Sequence, residues 1–149
     1  MHTLAQRVRG VIQYAKEKDG RWLRVEDKTP REQVVQALYT IRCGAACSEE
    51  ELHAQAAQAF AKAGLLAQHE AKLAPRCRID FLVDGIGVEI KKSRPAPGAL
   101  RAQLARYAAC EQVRELVVIA PRAVDMPKTI GGKRVTMLGL ERLWGISLP

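Results

Sequence analysis

The dipeptide Asp84-Gly85 stands between two short runs in which apolar and more polar residues alternate. Alternation with a period of two is typical of β-strands. The apolar positions of the two runs are Ile79, Phe81, Val83, Ile86, Val88 and Ile90. Asp-Gly between such runs is a strong hairpin signal, because a type I′ turn needs positive φ at both central residues. The stretch 78–91 therefore predicts two antiparallel strands joined by a two-residue turn.

A two-residue turn also determines which residues stand opposite each other in the hairpin. The predicted register places all the apolar residues on one face, which should pack on the core. On the other face, Asp80 stands opposite Glu89, with the two Cβ atoms about 5 Å apart. Their like charges repel, and a hard cation such as Mg²⁺ would relieve the repulsion because it takes oxygen ligands. Lys91 follows on the same face, so the hairpin presents Asp80, Glu89 and Lys91 together.

This order of residues resembles the active-site motif of the PD-(D/E)xK nuclease superfamily. Ile79 replaces the proline of the motif's name, a departure that is common in the family and leaves the chemistry intact. The resemblance implies that Asp80 and Glu89 bind Mg²⁺ or Mn²⁺, together with the backbone carbonyl of Ile90. It also implies that Lys91 orients the attacking water and offsets charge on the phosphate. Phosphodiester hydrolysis needs both an activated water and charge stabilisation at phosphorus.

Glu49 and Gln103 match further active-site places in the same family. Glu49 begins a helix whose capping box is Ser48 with Glu51, and its spacing aims it toward the sheet. Acidic residues also favour helix N-termini because of the helix dipole, so a purely structural role stays open. Gln103 precedes Tyr107 by one helical turn, which resembles the QxxxY helix that follows ExK in many of these nucleases. A glutamine at the margin of the core is the alternative.

The chain has an excess of positive charge, with 24 Lys and Arg against 16 Asp and Glu, or +8 in total. Such an excess favours a polyanionic partner, nucleic acid first, although a basic protein without one is the alternative. Basic residues concentrate around the hairpin and on the helix after it, where phosphate contacts would need them. These candidates are Arg78, Lys92, Arg94, Arg101 and Arg106. Aromatic residues make up only 5% of the chain, which argues against a stacking platform for single strands.

The sequence also bears on location. No apolar run is long enough to span a bilayer, and residues 1–15 lack the apolar centre of an export signal. We therefore expect a cytoplasmic protein with no membrane partner. The four cysteines form no CxxC pair, so we expect reduced thiols rather than a zinc site or disulfides. They are Cys43, Cys47, Cys77 and Cys110.

The predicted architecture is α/β, with an N-terminal helical extension (1–47) and a nuclease-like domain (48–149). Helical periodicity predicts helices over 3–18 and from Thr29 to about Gly44 in the extension. The second part predicts a helix from Ser48, a strand over 65–73, the hairpin, a helix over 98–110, strands over 113–120 and 135–138, and a short helix at 140–144. The resemblance implies a restriction-endonuclease-like mixed sheet of four to five strands flanked by helices.

These features predict a Mg²⁺-dependent endonuclease, most simply one acting on DNA in repair, recombination or restriction. A homodimer would suit a duplex, since cutting both strands usually takes two sites. One alternative is a ribonuclease of the same fold, such as a tRNA-cleaving toxin. Two others are a nucleic-acid-binding module that has lost catalysis and a structural partner protein.

Overall fold

The computed structural model describes residues 14–16, 19–24, 28–42 and 47–140. The described strands and helices, in chain order, are β1 (Tyr14–Lys16), β2 (Trp22–Arg24), α1 (Pro30–Leu38), α2 (Glu49–Lys62), β3 (Ala67–Ala74), β4 (Cys77–Val83), β5 (Ile86–Ile90), α3 (Pro97–Ala108), β6 (Glu115–Ala120), β7 (Thr129–Ile130) and β8 (Lys133–Gly139). Most of the short helix predicted at 140–144 lies outside the described residues.

The helix predicted over 3–18 is wrong at residues 14–16, which form β1; the remainder of that span lies outside the described residues. β1 pairs antiparallel with β2. Gly20, with φ near +90°, allows the chain to reverse between the two strands. β1 thus pairs its backbone with that of a neighbouring strand, and this pairing outweighs the helical spacing of the apolar residues.

Helices α1 and α2 begin where the sequence predicted. The Thr29 hydroxyl accepts a hydrogen bond from the Glu32 N–H, and the Glu32 carboxylate accepts one from the Thr29 N–H. Ser48 and Glu51 form the same reciprocal pair at the start of α2. Both capping boxes satisfy backbone donors that the first helical turn leaves free.

A mixed six-stranded sheet runs through the molecule in the order β3-β4-β5-β6-β8-β7. β3, β4 and β5 are antiparallel, whereas β5, β6 and β8 are parallel, and α3 makes the crossover between β5 and β6. The mixed α/β prediction is confirmed, but the sheet has more strands than the four to five expected. The additional strand is β7, which the tight turn at Gly131 and Gly132 folds back onto β8.

The sheet buries an apolar layer on each face. Helices α1 and α2 cover one face, where Leu38 and Phe60 pack with Phe81 and Val88 in one cluster of buried residues. Helix α3 covers the other face, where its apolar residues pack against those of the strands. That second cluster includes Leu100, Leu104, Tyr107, Leu116 and Val118. Strand β6 is buried on both faces, as its continuous apolar run predicted. In the described part of the chain, no helix combines the length and apolar character needed to cross a membrane.

Among the cysteines that the structure describes, one departs from the expectation of reduced thiols. Cys77 and Cys110 are free, but Cys47 is disulfide-bonded. A disulfide depends on the proximity of two cysteines in the fold, which spacing along the sequence does not report.

Gly87, in the middle of β5, leaves no room for a side chain. A Cβ atom there would lie 2.7 Å from Cδ1 of Ile79 and 3.0 Å from Cδ2 of Leu116, and both residues are fully buried. We expect Gly87→Ala to lower the free energy of unfolding by about 1–2 kcal/mol, because the core must shift to accept the methyl group. Urea denaturation measures this change. Gly98→Ala is the control, since a Cβ at that exposed helical position meets nothing within 4 Å; equal stability of the two variants would contradict the expectation.

Candidate active site

The hairpin of β4 and β5 holds the residues singled out by the sequence. Asp84 and Gly85 have φ of 48° and 78°, as a type I′ turn requires. The predicted register is confirmed over the first three pairs, which are Val83 with Ile86, Leu82 with Gly87 and Phe81 with Val88. The pairing of β4 with β5 ends at Phe81, so Asp80, the next residue away from the turn, lies outside it.

Asp80 changes the course of β4. Its Oδ2 atom accepts a hydrogen bond of 2.7 Å from the backbone N–H of Ile90. If the two strands had continued to pair, that N–H would have bonded to a backbone carbonyl of β4 instead. Beyond this point Ile79 packs in the cluster under α3, whereas Ile90 packs in the cluster under α1 and α2. The prediction that Ile79 and Ile90 share one apolar face is therefore wrong, because the alternation of faces breaks at Asp80.

Glu89 is buried, with only 5% of its surface exposed, and three side chains hold it. Its Oε2 atom accepts a hydrogen bond of 3.0 Å from the hydroxyl of Tyr107, which also lies 3.0 Å from the carbonyl oxygen of Arg78. Its Oε1 atom lies 3.4 Å from Nε2 of Gln103 and 3.2 Å from Nζ of Lys91. The α3 residues named from the sequence thus orient the carboxylate of Glu89 beside a lysine.

The two carboxylates destabilise each other's charge. Burial is the main cause that raises the pKa of Asp80, and the nearby Glu49 carboxylate adds to the rise. Burial also raises the pKa of Glu89, and the charge of Asp80 is the next largest cause. Lys91 opposes the rise at both groups. Burial and the charge of Glu89 raise the pKa of Tyr107, which keeps its hydroxyl a neutral donor. The site therefore holds buried negative charge that its surroundings only partly offset.

His53 connects Glu49 to Asp80, and the sequence analysis did not consider it. Its Nε2 atom lies 3.9 Å from Oε1 of Glu49 and 3.8 Å from Oδ2 of Asp80. The Glu49 side chain is about two-thirds exposed and lies at the edge of this group. The four-residue spacing of Glu49 and His53, which puts both on one face of a helix, was the signal that could have found it.

The basic residues divide into two groups around these carboxylates. Lys91, Gln103 and Arg106 line one open pocket of about 370 Å³ beside the N-terminal half of α3. Arg78 is exposed on β4 and forms an ion pair of 3.4 Å with Glu70. The other candidates are exposed and do not line that pocket, namely Lys92, Arg94 and Arg101. The structure thus brings Arg106 to the site and leaves the others on the surrounding surface.

The raised pKa values predict how stability depends on pH. Because the folded protein holds protons on Asp80 and Glu89 more tightly than the unfolded chain, these groups favour folding less as the pH rises above about 4 through their raised pKa values. We expect the difference in unfolding free energy between the double variant Asp80→Asn, Glu89→Gln and wild type to shift in favour of the variant as the pH rises from 4.5 to 7.5. Urea denaturation at both pH values measures the difference, and parallel pH dependence of the two proteins would contradict it.

The site is thus defined by its own geometry: a buried acid held by α3, a second acid at the break in β4, and a lysine next to the first. Asp80, Glu89 and Lys91 come together through the hairpin, and Gln103 joins them from α3. Comparisons of this chain with protein families, with curated proteins and with solved structures find no match.

Proposed function

We propose that this chain hydrolyses phosphodiester bonds of nucleic acid, with DNA as the favoured substrate, and that a divalent metal ion assists. The observation that carries the proposal is the buried Glu89. Its carboxylate lies 3.2 Å from the ammonium group of Lys91, and the charge of Asp80 raises its pKa. Two acids and a lysine in that relation supply what phosphodiester hydrolysis requires of a protein.

The residues present fit a hard divalent cation. Burial raises the pKa of both Asp80 and Glu89, and the charge of Asp80 raises the pKa of Glu89 further. A positive ion bound between their oxygens would offset this unfavourable negative charge. Mg²⁺ and Mn²⁺ take carboxylate oxygens. Asp80 and Glu89 would hold the ion, with the carbonyl of Ile90 as the third ligand that the family resemblance implies. A bound ion would supply Lewis-acid chemistry at the phosphate.

The other residues have roles that their contacts define. Lys91 is partly exposed, lines the 370 Å³ pocket, and offers a cation to a phosphate that enters it. Its backbone N–H donates to the carbonyl oxygen of Ile119 at 2.7 Å, which ties the end of β5 to β6. Gln103 and Tyr107 orient Glu89 from α3, and Arg106 adds positive charge at the pocket. Glu49 acts at the outer edge, through its proximity to His53.

Nucleic acid is the proposed partner because of charge. The chain carries +8, and exposed basic residues surround the carboxylates, which would otherwise repel a phosphate backbone. We favour DNA over RNA because of the family resemblance, and a comparison of DNA and RNA cleavage distinguishes the two substrates.

The test is cleavage of matched duplex, branched and single-stranded DNA and of the corresponding RNA, each with Mg²⁺, Mn²⁺ or EDTA. We expect cleavage of DNA that requires the metal ion and is lost in Asp80→Asn. Asparagine keeps an oxygen that can accept from the N–H of Ile90, so the fold should survive. Cleavage of RNA alone would select the ribonuclease, and binding without cleavage of any substrate would select the inactive module. Equal cleavage by wild type and Asp80→Asn would overturn the proposal.

A further inference from the structure

We propose that His53, His69 and Glu70 form a second metal site, for a divalent transition metal ion of the Zn²⁺ class. The site lies on the α2 side of β3 and is distinct from the pair formed by Asp80 and Glu89. The inference does not rest on the proposed nuclease activity, because it concerns other ligand atoms and a different kind of ion.

The ligand atoms are close enough to share one ion. One atom from each of the three side chains lies within 4.8 Å of the others. Nδ1 of His53 is 3.0 Å from Nε2 of His69. A zinc ion binds imidazole nitrogen at about 2.0–2.1 Å, which puts two nitrogens in a tetrahedral site about 3.3 Å apart. The two imidazoles therefore need only a small adjustment to bind the same ion.

The hydrogen bond between the two histidines leaves the other ring nitrogen of His53 unsatisfied. His53 is more than nine-tenths buried, and its Nε2 atom has no hydrogen-bond partner among the described residues. A buried polar atom without a partner costs free energy. If Nδ1 binds a metal ion, Nε2 carries the proton and faces the carboxylates of Asp80 and Glu49, which lie just beyond hydrogen-bond distance. Metal-binding histidines commonly donate their second N–H to a carboxylate.

The neighbouring residues hold the cluster in place and leave it accessible. The ring of His69 stacks on Phe81, with ring centres 4.7 Å apart and an angle of 26° between the planes. Glu70 is exposed on β3 and forms an ion pair of 3.4 Å with the exposed Arg78, so its carboxylate can turn to an ion at little cost. A pocket of about 420 Å³ opens onto the cluster and is lined by His53, His69, Glu70 and Glu49.

The ligand set decides the class of metal. Two imidazoles and one carboxylate suit Zn²⁺ and its neighbours in the first transition row. Mg²⁺ prefers oxygen ligands and should not compete here. Three protein ligands in an open pocket also leave a position for water or another small ligand.

The test is titration of the metal-free full chain with Zn²⁺ by calorimetry in the presence of excess Mg²⁺, which occupies oxygen-only sites. We expect one strong Zn²⁺ site in wild type and at least a tenfold weaker one in His69→Ala. The exposure of His69 makes this variant the safest for the fold. Gln68→Ala, an exposed neighbour on the same strand, is the matched control and should bind like wild type. Visible absorption with Co²⁺ adds a readout of the ligands, and circular dichroism checks that each variant is folded.

Four outcomes would overturn the inference. Wild type could bind no Zn²⁺ in the calorimetric titration, or His69→Ala could bind it as tightly as wild type. Binding could also be lost in Glu89→Gln and kept in His69→Ala, which would assign the ion to the site of Asp80 and Glu89. An absorption band of thiolate bound to Co²⁺ would likewise assign it to the free Cys77 and Cys110. None of these results depends on cleavage, so they leave the proposed function to its own test.

Discussion

Lys91→Met is expected to lower the rate of metal-dependent cleavage by a factor of about 10²–10³, the usual effect of removing one group that stabilises charge in the transition state. Lys91 is the cation next to Glu89, at 3.2 Å, and it lines the pocket through which a phosphate would approach. Methionine keeps most of the apolar stem of the side chain and removes the ammonium group, with its charge and its donors. Single-turnover cleavage with saturating Mg²⁺ measures the chemical step without a contribution from product release.

The control for this substitution is the next residue in the chain. Lys92→Met removes the same charge from an exposed position that does not line the pocket, and should slow cleavage far less. Loss of the cation leaves the buried Glu89 with less compensation, so its pKa should rise further in Lys91→Met. Circular dichroism therefore accompanies the kinetic measurement. A folded Lys91→Met protein that cleaves at the wild-type rate would remove Lys91 from the mechanism.

Glu89→Gln is expected to abolish cleavage and, at the same time, to stabilise the metal-free protein at pH 7.5, because a group whose pKa is raised by folding disfavours the folded state at high pH. Glu89 is buried, and both its burial and the charge of Asp80 act against its ionised form. Glutamine has the same shape, removes that unfavourable charge, and relieves Asp80 of a like charge. A buried ionisable residue that destabilises the fold at neutral pH is typical of a functional site, where the charge serves binding or catalysis rather than stability.

The measurement pairs thermal denaturation with and without Mg²⁺ for wild type and Glu89→Gln. We expect Mg²⁺ to raise the melting temperature of wild type through preferential binding to the folded state, and to have little effect on the variant. Glu111→Gln is the control, since Glu111 is exposed in the turn that follows α3. A large loss of stability in Glu89→Gln would instead assign Glu89 a structural role, through its contacts with Tyr107 and Lys91.

Features encoded by neighbouring residues could be predicted from the sequence. The capping boxes at Thr29 and Ser48 form as predicted because each involves residues three positions apart. The turn at Asp84-Gly85 forms for the same reason, since its backbone conformation depends on two residues. Helix α3 and strand β6 lie where periodicity and a continuous apolar run indicated.

Features that depend on distant pairing could not be predicted in this way. Residues 14–16 belong to a stretch with helical spacing but form β1, because they pair with the distant residues of β2. Ile79 continues the alternation of β4 in the sequence but lies on the other face, because the carboxylate of Asp80 takes the N–H of Ile90. The contact between His53 and His69 joins residues sixteen positions apart on a helix and a strand. No local pattern links that pair.

By itself, the sequence determined the hairpin, the helix starts and the choice of Asp80, Glu89, Lys91 and Gln103 as candidates, since turn chemistry, capping and spacing act within a few residues. Only the tertiary structure decided how those groups meet. Burial makes Glu89 an acid of raised pKa, α3 supplies its hydrogen bonds, and α2 brings His53 toward Asp80. Desolvation and contacts between separate elements exist only once the sheet and its helices have packed.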